Sequence, residues 1–276
     1  MPVHLTASRP EAAAVTWLER WCPRPSARLQ LLCLPCAGGS AAAYRGWAAA
    51  LPDQVELLAA ELPGHGRRQC EPALTSMDDL VSGLLTALAT QLRRPLAIFG
   101  HSMGALIGLE LARAIRRQHG QAPAALLVSA SDSPALPAGA TAVGGAAPLE
   151  LPDADWRRTL RELGGVDSGT LADDAVMDLL MSALRGDLAL LDRYRHRAEQ
   201  PLGCAVRVYA GDRDESVTEA GLAAWRQESP RDFRLSRLPG GHFFQRESEQ
   251  LFLGRLGGDL LAVMPPWTPR ANGVMR

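Results

Sequence analysis

Residues 98–104 read I-F-G-H-S-M-G and residues 105–117 continue A-L-I-G-L-E-L-A-R-A-I-R-R, so a serine stands between two glycines where an apolar run gives way to helical spacing. Gly100-His101-Ser102-Met103-Gly104 fits G-x-S-x-G, with a strand before it and a helix after it, as a nucleophile elbow requires. The glycines have a physical reason: a sharp strand-to-helix turn brings neighbouring backbone so close that side chains at the flanking positions would clash. The new helix also aims free N–H groups at the spot where a tetrahedral intermediate carries negative charge.

A serine hydroxyl needs a general base, and the chain order for this arrangement is serine, acid, histidine. Of the six histidines, His4 lies in the N-terminal arm, His101 adjoins the serine, His119 ends a polar helix face and His196 lies in a basic stretch. His65, in P-G-H-G-R-R, precedes the serine. Only His242, in L-P-G-G-H-F-F, follows a late strand through a glycine loop that can swing it over a sheet edge. The acid belongs after the strand before that one, where V-Y-A-G-D-R-D-E-S-V offers Asp212 and Asp214. A carboxylate there accepts the imidazole N–H, fixes the tautomer and stabilises the imidazolium. For the oxyanion, the N–H of Met103 and the N–H of Ala37, in the loop Pro35-Cys36-Ala37-Gly38-Gly39, are the expected donors.

These groups need a scaffold, and the hydrophobic pattern supplies one. Leu29–Pro35, Val55–Leu62, Leu96–Phe99, Ala125–Ser129, Val206–Ala210 and Phe233–Leu238 read as strands, the first four almost wholly apolar, as in a parallel sheet covered on both faces. Between them lie helical patterns. One carries Leu80, Val81, Leu84, Leu85, Leu88 and Leu92 in a stripe, with Thr75 as N-cap and Asp78 three positions on. Another repeats Leu106, Ile107, Leu111, Ala114 and Ile115 and closes at Gly120. The alternation predicts an α/β fold with a mostly parallel, doubly wound sheet.

The rhythm breaks at residues 131–200, which open with a Pro/Gly/Ala-rich stretch and then give helical patterns, Trp156, Leu160 and Leu163 on one face and Val176, Leu179, Leu180, Leu184, Leu188 and Leu191 on another. A helical insertion of this length between strands predicts a lid over the C-terminal edge of the sheet. The domain reading is an N-terminal arm at 1–20, a catalytic domain at 21–264 holding the lid at 131–200, and a tail at 265–276.

Composition sets the remaining bounds. With 276 residues, 47% hydrophobic and 21% charged, and a formal charge of −1, nothing favours nucleic acid or an anionic membrane as partner. The N-terminus has no apolar signal region and no run is long enough to span a bilayer, so a cytoplasmic protein is expected. Cys33-Leu-Pro-Cys36 matches C-x-x-C, but no second ligand pair accompanies it, which favours two buried thiols over zinc or redox chemistry.

Together these segments resemble the type II, stand-alone editing thioesterases of polyketide and nonribosomal peptide synthesis. The likeness runs from about Trp21 to Val263: W-C-P-R-P-S-A-R, L-P-C-A-G-G-S-A, E-L-P-G-H-G-R-R, I-F-G-H-S-M-G-A, L-R-E-L-G-G, A-L-R-G-D-L-A-L-L-D-R-Y-R, G-D-R-D and G-G-H-F-F. The resemblance implies the α/β-hydrolase fold, a mobile helical lid, and a Ser102–His242–Asp214 triad, since the family's aspartate is the second in G-D-x-D. It also implies hydrolysis of acyl thioesters from the phosphopantetheine arm of acyl or peptidyl carrier protein domains, with no cofactor and no metal of the enzyme's own. The sequence departs from the family where Cys36 stands for the usual His or Tyr and Glu215 for the usual Pro. The rival readings are a small-molecule carboxylesterase or lipase on the same fold and a non-catalytic hydrolase-fold binding module.

Overall fold

The computed structural model describes residues 16–91, 94–136, 153–163, 165 and 173–264. Seven strands form one sheet: β1 (Leu18–Glu19), β2 (Leu29–Leu34), β3 (Val55–Ala60), β4 (Leu96–His101), β5 (Ala125–Ser129), β6 (Ala205–Gly211) and β7 (Phe233–Leu238). Their order is β1-β3-β2-β4-β5-β6-β7, all parallel except β1, which runs antiparallel to β3. The six expected strands are all present, and β4 runs two residues further, up to the serine. β1 is the addition: Leu18 and Glu19 lie in the segment read as an arm and pair with Ala60 and Ala59.

From β2 the chain moves to β3 on one side, then returns to β4 on the other. In such sheets the crevice beyond the strand C-termini at the point of reversal is the ligand site. That point here lies between β2 and β4, where Leu34 pairs with Gly100. The loop after β2 therefore faces the turn after β4.

Strand side chains alternate between two cores, as the period of two demands. On one face Leu32, Leu34, Leu58, Ile98, Leu126 and Val206 pack under α2 (Met77–Gln91) and α3 (Met103–His119). On the other, Leu31, Cys33, Phe99, Leu127 and Tyr209 pack with Trp47 of the short α1 (Trp47–Ala50) and with Phe252, Leu256 and Leu260 of the C-terminal helix. The expected stripes of α2 and α3 face the core, Leu85 and Leu106 at its margin; Leu92 lies outside the described residues. The cap of α2 moves by one residue. Ser76, not Thr75, accepts the Asp79 N–H at 3.3 Å, while the Thr75 hydroxyl accepts from Arg193 at 2.6 Å. Gly120 closes α3 in the left-handed conformation, as read.

Within 131–200 lie α4 (Asp153–Leu163) and α5 (Asp174–Arg193), the latter capped by Asp173, whose carboxylate accepts from the N–H groups of Ala175 and Val176. Trp156 and Leu160 are buried with Met177, Met181, Leu184 and Leu188 in a third small core, against which Ala37, Leu180 and Leu191 pack. The inward face of α5 is thus turned from the expected one: Val176 and Leu179 are 42% and 49% exposed, and two methionines take their place. Methionine's flexible stem fills the irregular gap between lid and sheet better than a branched side chain. The side chain of Leu163, most of the opening 131–148 stretch and the 265–276 tail lie outside the described residues. The chain continues through α6 (Glu219–Ala224) after β6, then α7 (Phe244–Glu247) and α8 (Glu249–Val263) after β7. Among the described residues no helix is long and apolar enough to cross a membrane.

Candidate active site

Ser102 occupies the turn between β4 and α3 at φ 54°, ψ −117°, a left-handed backbone that a non-glycine residue adopts only under constraint. Such strain costs of order 1–3 kcal/mol and persists where the surroundings over-determine it. Here they do. The Ser102 N–H donates to the Ser129 carbonyl at 2.8 Å, and the Ser102 carbonyl accepts from Ala105 N–H at 2.9 Å. A Cβ on Gly100 would lie 2.0 Å from the Gly104 carbonyl oxygen, and one on Gly104 would lie 2.3 Å from that of Leu34. Only glycine lets the three backbones approach this closely.

Two amides are expected as oxyanion donors. Met103 is the first residue of α3, where an N–H has no partner within the helix. Cys36-Ala37-Gly38-Gly39 forms a turn closed by the Gly39 N–H on the Cys36 carbonyl at 2.9 Å, with Gly38 at φ +71°. Among the described residues neither the Met103 nor the Ala37 N–H has a hydrogen-bond partner.

The far side of the site comes from the loops after β6 and β7. They are drawn together at Gly211, where a Cβ would lie 2.2 Å from the Gly241 carbonyl oxygen. Asp212 is a turn residue that accepts the Gly240 N–H at 2.9 Å. Asp214 instead reaches inward: its Oδ2 accepts from His242 Nδ1 at 3.0 Å. Ser216, two residues on, donates its hydroxyl to Asp214 Oδ1 at 2.6 Å and its N–H at 3.0 Å, and its oxygen lies 2.8 Å from His242 Nδ1. Burial works to raise the Asp214 pKa, but hydrogen bonds from His242 and Ser216 and the imidazole charge outweigh it, so the carboxylate sits below its ordinary range. A second buried acid, Asp132 after β5, is held by the N–H and hydroxyl of Thr218 and does not reach the histidine.

Ser102 meets this pair through its neighbour. The His101 ring lies 5.1 Å from the His242 ring and 5.2 Å from Phe243, so β4 delivers the serine turn beside the imidazole. No hydrogen bond joins the Ser102 hydroxyl to another described residue. Burial, and then the charge on His242, hold His101 well below the ordinary histidine range, which leaves its ring neutral with Nδ1 on the Ser129 hydroxyl at 2.9 Å. Burial also pushes the Cys33 thiol well up and the Cys36 thiol up to about 11, so both stay protonated at neutral pH.

A family model described as a thioesterase domain matches residues 29–256. The chain belongs to the thioesterase family. Among relatives of this thioesterase, the gramicidin S biosynthesis protein GrsT of Aneurinibacillus migulanus is 33% identical over 87% of this chain and 92% of its own. Thioesterase PikA5 of Streptomyces venezuelae is 33% identical over 91% and 90%. Of solved structures, the type II thioesterase BorB from the borrelidin biosynthetic cluster superposes with a TM-score of 0.78 at 35% identity, covering 88% of this chain and 97% of that one. RedJ, a thioesterase from the prodiginine pathway of Streptomyces coelicolor, gives 0.78 at 34% identity, covering 91% of each. The thioesterase therefore has the α/β-hydrolase fold that BorB and RedJ share, as its sequence segments suggest.

Two features of the thioesterase escaped the sequence. Ser216 is one; an Asp-x-Ser pair with the serine N–H on the carboxylate is a common turn, and nothing in it announces a third partner for the imidazole. The other is a buried pair. His65 Nδ1 lies 3.0 Å from the Pro63 carbonyl and Nε2 lies 2.8 Å from Asp187 on α5. A carbonyl and a carboxylate both accept hydrogen bonds, so this arrangement favours the doubly protonated ring. Burial alone would lower its pKa, but the hydrogen bond and charge of Asp187, the Pro63 carbonyl and Glu61 leave it raised above 6.5. A histidine raised on folding stabilises fully below its unfolded value and loses that contribution as pH climbs through its folded value. The thermal midpoint of the wild type should therefore exceed that of His65→Gln most at pH 6, and the gap should narrow by pH 9; a gap that widens with pH contradicts the imidazolium.

Proposed function

We propose that this thioesterase hydrolyses acyl groups from phosphopantetheine thioesters on acyl or peptidyl carrier protein domains, clearing stalled or misprimed chains from polyketide or nonribosomal peptide synthases. The observation that carries the chemistry is the Asp214–His242 hydrogen bond, set beside the strained serine at the sheet's point of reversal. The names of GrsT and PikA5 and the titles of BorB and RedJ support the setting.

In this reading Ser102 Oγ attacks the thioester carbonyl as His242 Nε2 takes its proton, and Asp214 holds Nδ1–H and stabilises the imidazolium. The serine–histidine hydrogen bond forms as substrate seats, as such bonds often tighten only in the Michaelis complex. The Met103 and Ala37 N–H groups receive the oxyanion. Collapse breaks the C–S bond, and the phosphopantetheine thiol leaves with the proton from His242. Water, deprotonated by the same imidazole, then attacks the acyl-serine and frees the carboxylic acid and Ser102. Every proton moves through His242, so the route calls for no cofactor; the phosphopantetheine arrives with the carrier. The enzyme works in the cytoplasm, where such synthases load their carriers.

The deciding experiment compares kcat/KM for one acyl group presented on a carrier protein and as a simple oxygen ester, alongside fluorophosphonate labelling of Ser102. Higher kcat/KM on the carrier thioester with labelled Ser102 is expected. Preference for the ester makes the protein a carboxylesterase, and absence of labelling makes it a binding module.

A further inference from the structure

Asp187 belongs to the lid helix α5, yet its carboxylate is where three separate stretches of chain meet. Its side chain is 2% exposed, and a single oxygen, Oδ2, accepts the Gly38 N–H at 2.7 Å and His65 Nε2 at 2.8 Å. His65 is anchored in turn on the loop after β3 by the Pro63 carbonyl. The rest of the inward face of α5 is apolar, formed by Met177, Met181, Leu184 and Leu188. A buried carboxylate in such a row is costly unless it is paired and hydrogen-bonded, as Asp187 is.

Gly38 is the second central residue of the turn that carries Ala37, and its φ of +71° is what a type II turn demands there. Each peptide unit of that turn is held by one bond. The Cys36–Ala37 unit is held through its carbonyl by the Gly39 N–H, and the Ala37–Gly38 unit through its N–H by Asp187. Because a trans peptide directs its N–H opposite to its carbonyl, pinning the Cys36 carbonyl on one side leaves the Ala37 N–H pointing out of the turn on the other. Leu180 and Leu184 of the same helix close over Gly38, where a Cβ would lie 3.2 and 3.4 Å from their atoms.

We infer that Asp187 is a positioning residue that sets the Ala37 N–H for the oxyanion, so that the seating of the lid helix and the assembly of the oxyanion site are one event. This rests on the serine-thioesterase reading above. Its acceptor oxygen, rather than its charge, does the positioning, since the Gly38 N–H needs only a lone pair at that point.

The test is steady-state hydrolysis of a carrier-bound thioester by the full chain carrying Asp187→Ala, Asp187→Leu or Asp187→Asn. Ala and Leu remove the acceptor, Leu also refilling the space; Asn keeps an oxygen where Oδ2 stands. Misplacement of a donor by about 1 Å costs up to ~10²-fold, so kcat should fall ~10- to 100-fold in Ala and Leu with KM within about threefold, and Asn should recover most of it. A merely structural carboxylate would lower the thermal midpoint without this kcat–KM split. Wild-type kcat in whichever of Ala or Leu folds, or a loss in Asn as deep as in Ala, overturns the inference. Failure of the underlying reading looks different: the wild type itself would then lack serine-dependent thioester hydrolysis.

Discussion

Ser102→Ala is expected to lower turnover of carrier thioesters by ~10⁴-fold or more while leaving the protein as stable as the wild type. The two halves of this expectation have separate causes. Turnover falls because the described nucleophiles nearby are otherwise engaged: the Cys33 and Cys36 thiols are held protonated by burial, His101 is neutral and turned to Ser129, and the Ser216 hydroxyl donates to Asp214. What remains is the rate of water attack aided by two amide donors and by binding, as in other triad enzymes stripped of their serine. Stability is retained because the Ser102 hydroxyl makes no hydrogen bond to the described residues, while the backbone bonds that hold φ at 54° survive in alanine. Single-turnover hydrolysis and thermal unfolding of the same preparation read both halves. Hydrolysis within tenfold of wild type would eliminate the serine mechanism.

Gly100→Ala should do the reverse and cost the fold rather than the chemistry. Its methyl carbon would lie 2.0, 2.3 and 2.5 Å from backbone atoms of Gly104 and Ala105, none of which can rotate away as a side chain would. Either β4 or the start of α3 must move, and β4 lies at the centre of the sheet with β2 and β5 bonded to its two edges. A loss of about 4–5 kcal/mol or more follows, at the extreme end for one substitution. Chemical denaturation, or failure to accumulate as folded protein, measures it. Gly254→Ala is the internal comparison: that glycine lies in α8 with nothing within 4 Å of a new Cβ. There alanine should stabilise by roughly 0.5–1 kcal/mol. If Gly100→Ala behaves like Gly254→Ala, the close-approach explanation of the elbow is wrong.

What the sequence reveals and what it hides divides along physical lines. Strands buried on both faces announce themselves because Leu29–Leu34 and Val55–Ala60 have no polar face to protect, and β1, two residues long, is too short to carry any period. The elbow is legible because its constraint is local: strand, glycine, serine, glycine and helix are consecutive. His242 is legible from topology, and so is the Asp212–Asp214 segment, as each follows a strand whose C-terminal end faces the same rim, but the choice of Asp214 over Asp212 comes from the family resemblance. The cap of α2 goes astray because Thr75 and Ser76 are both good caps, and the choice falls to a distant arginine that takes up the threonine. The turned face of α5 has a similar cause: leucine spacing alone cannot tell which side the methionines prefer. Asp187 did leave a trace, since it stands three residues after Leu184 on the inward face, where a charge is out of place. Its partners Gly38 and His65, however, are 149 and 122 residues away, beyond any local pattern.

That placement has a bearing on how such enzymes can be rebuilt. The serine, imidazole and acid all ride on the sheet, so the segment that covers them looks free to be exchanged for another with a different acyl preference. Asp187 is one described position at which it is not free, because its carboxylate bonds the Gly38 N–H and His65. If Asp187 sets the oxyanion donor as inferred above, a transplanted cover that arrives without an oxygen at position 187 should fold and yet lose turnover, with the cause far from any reacting atom.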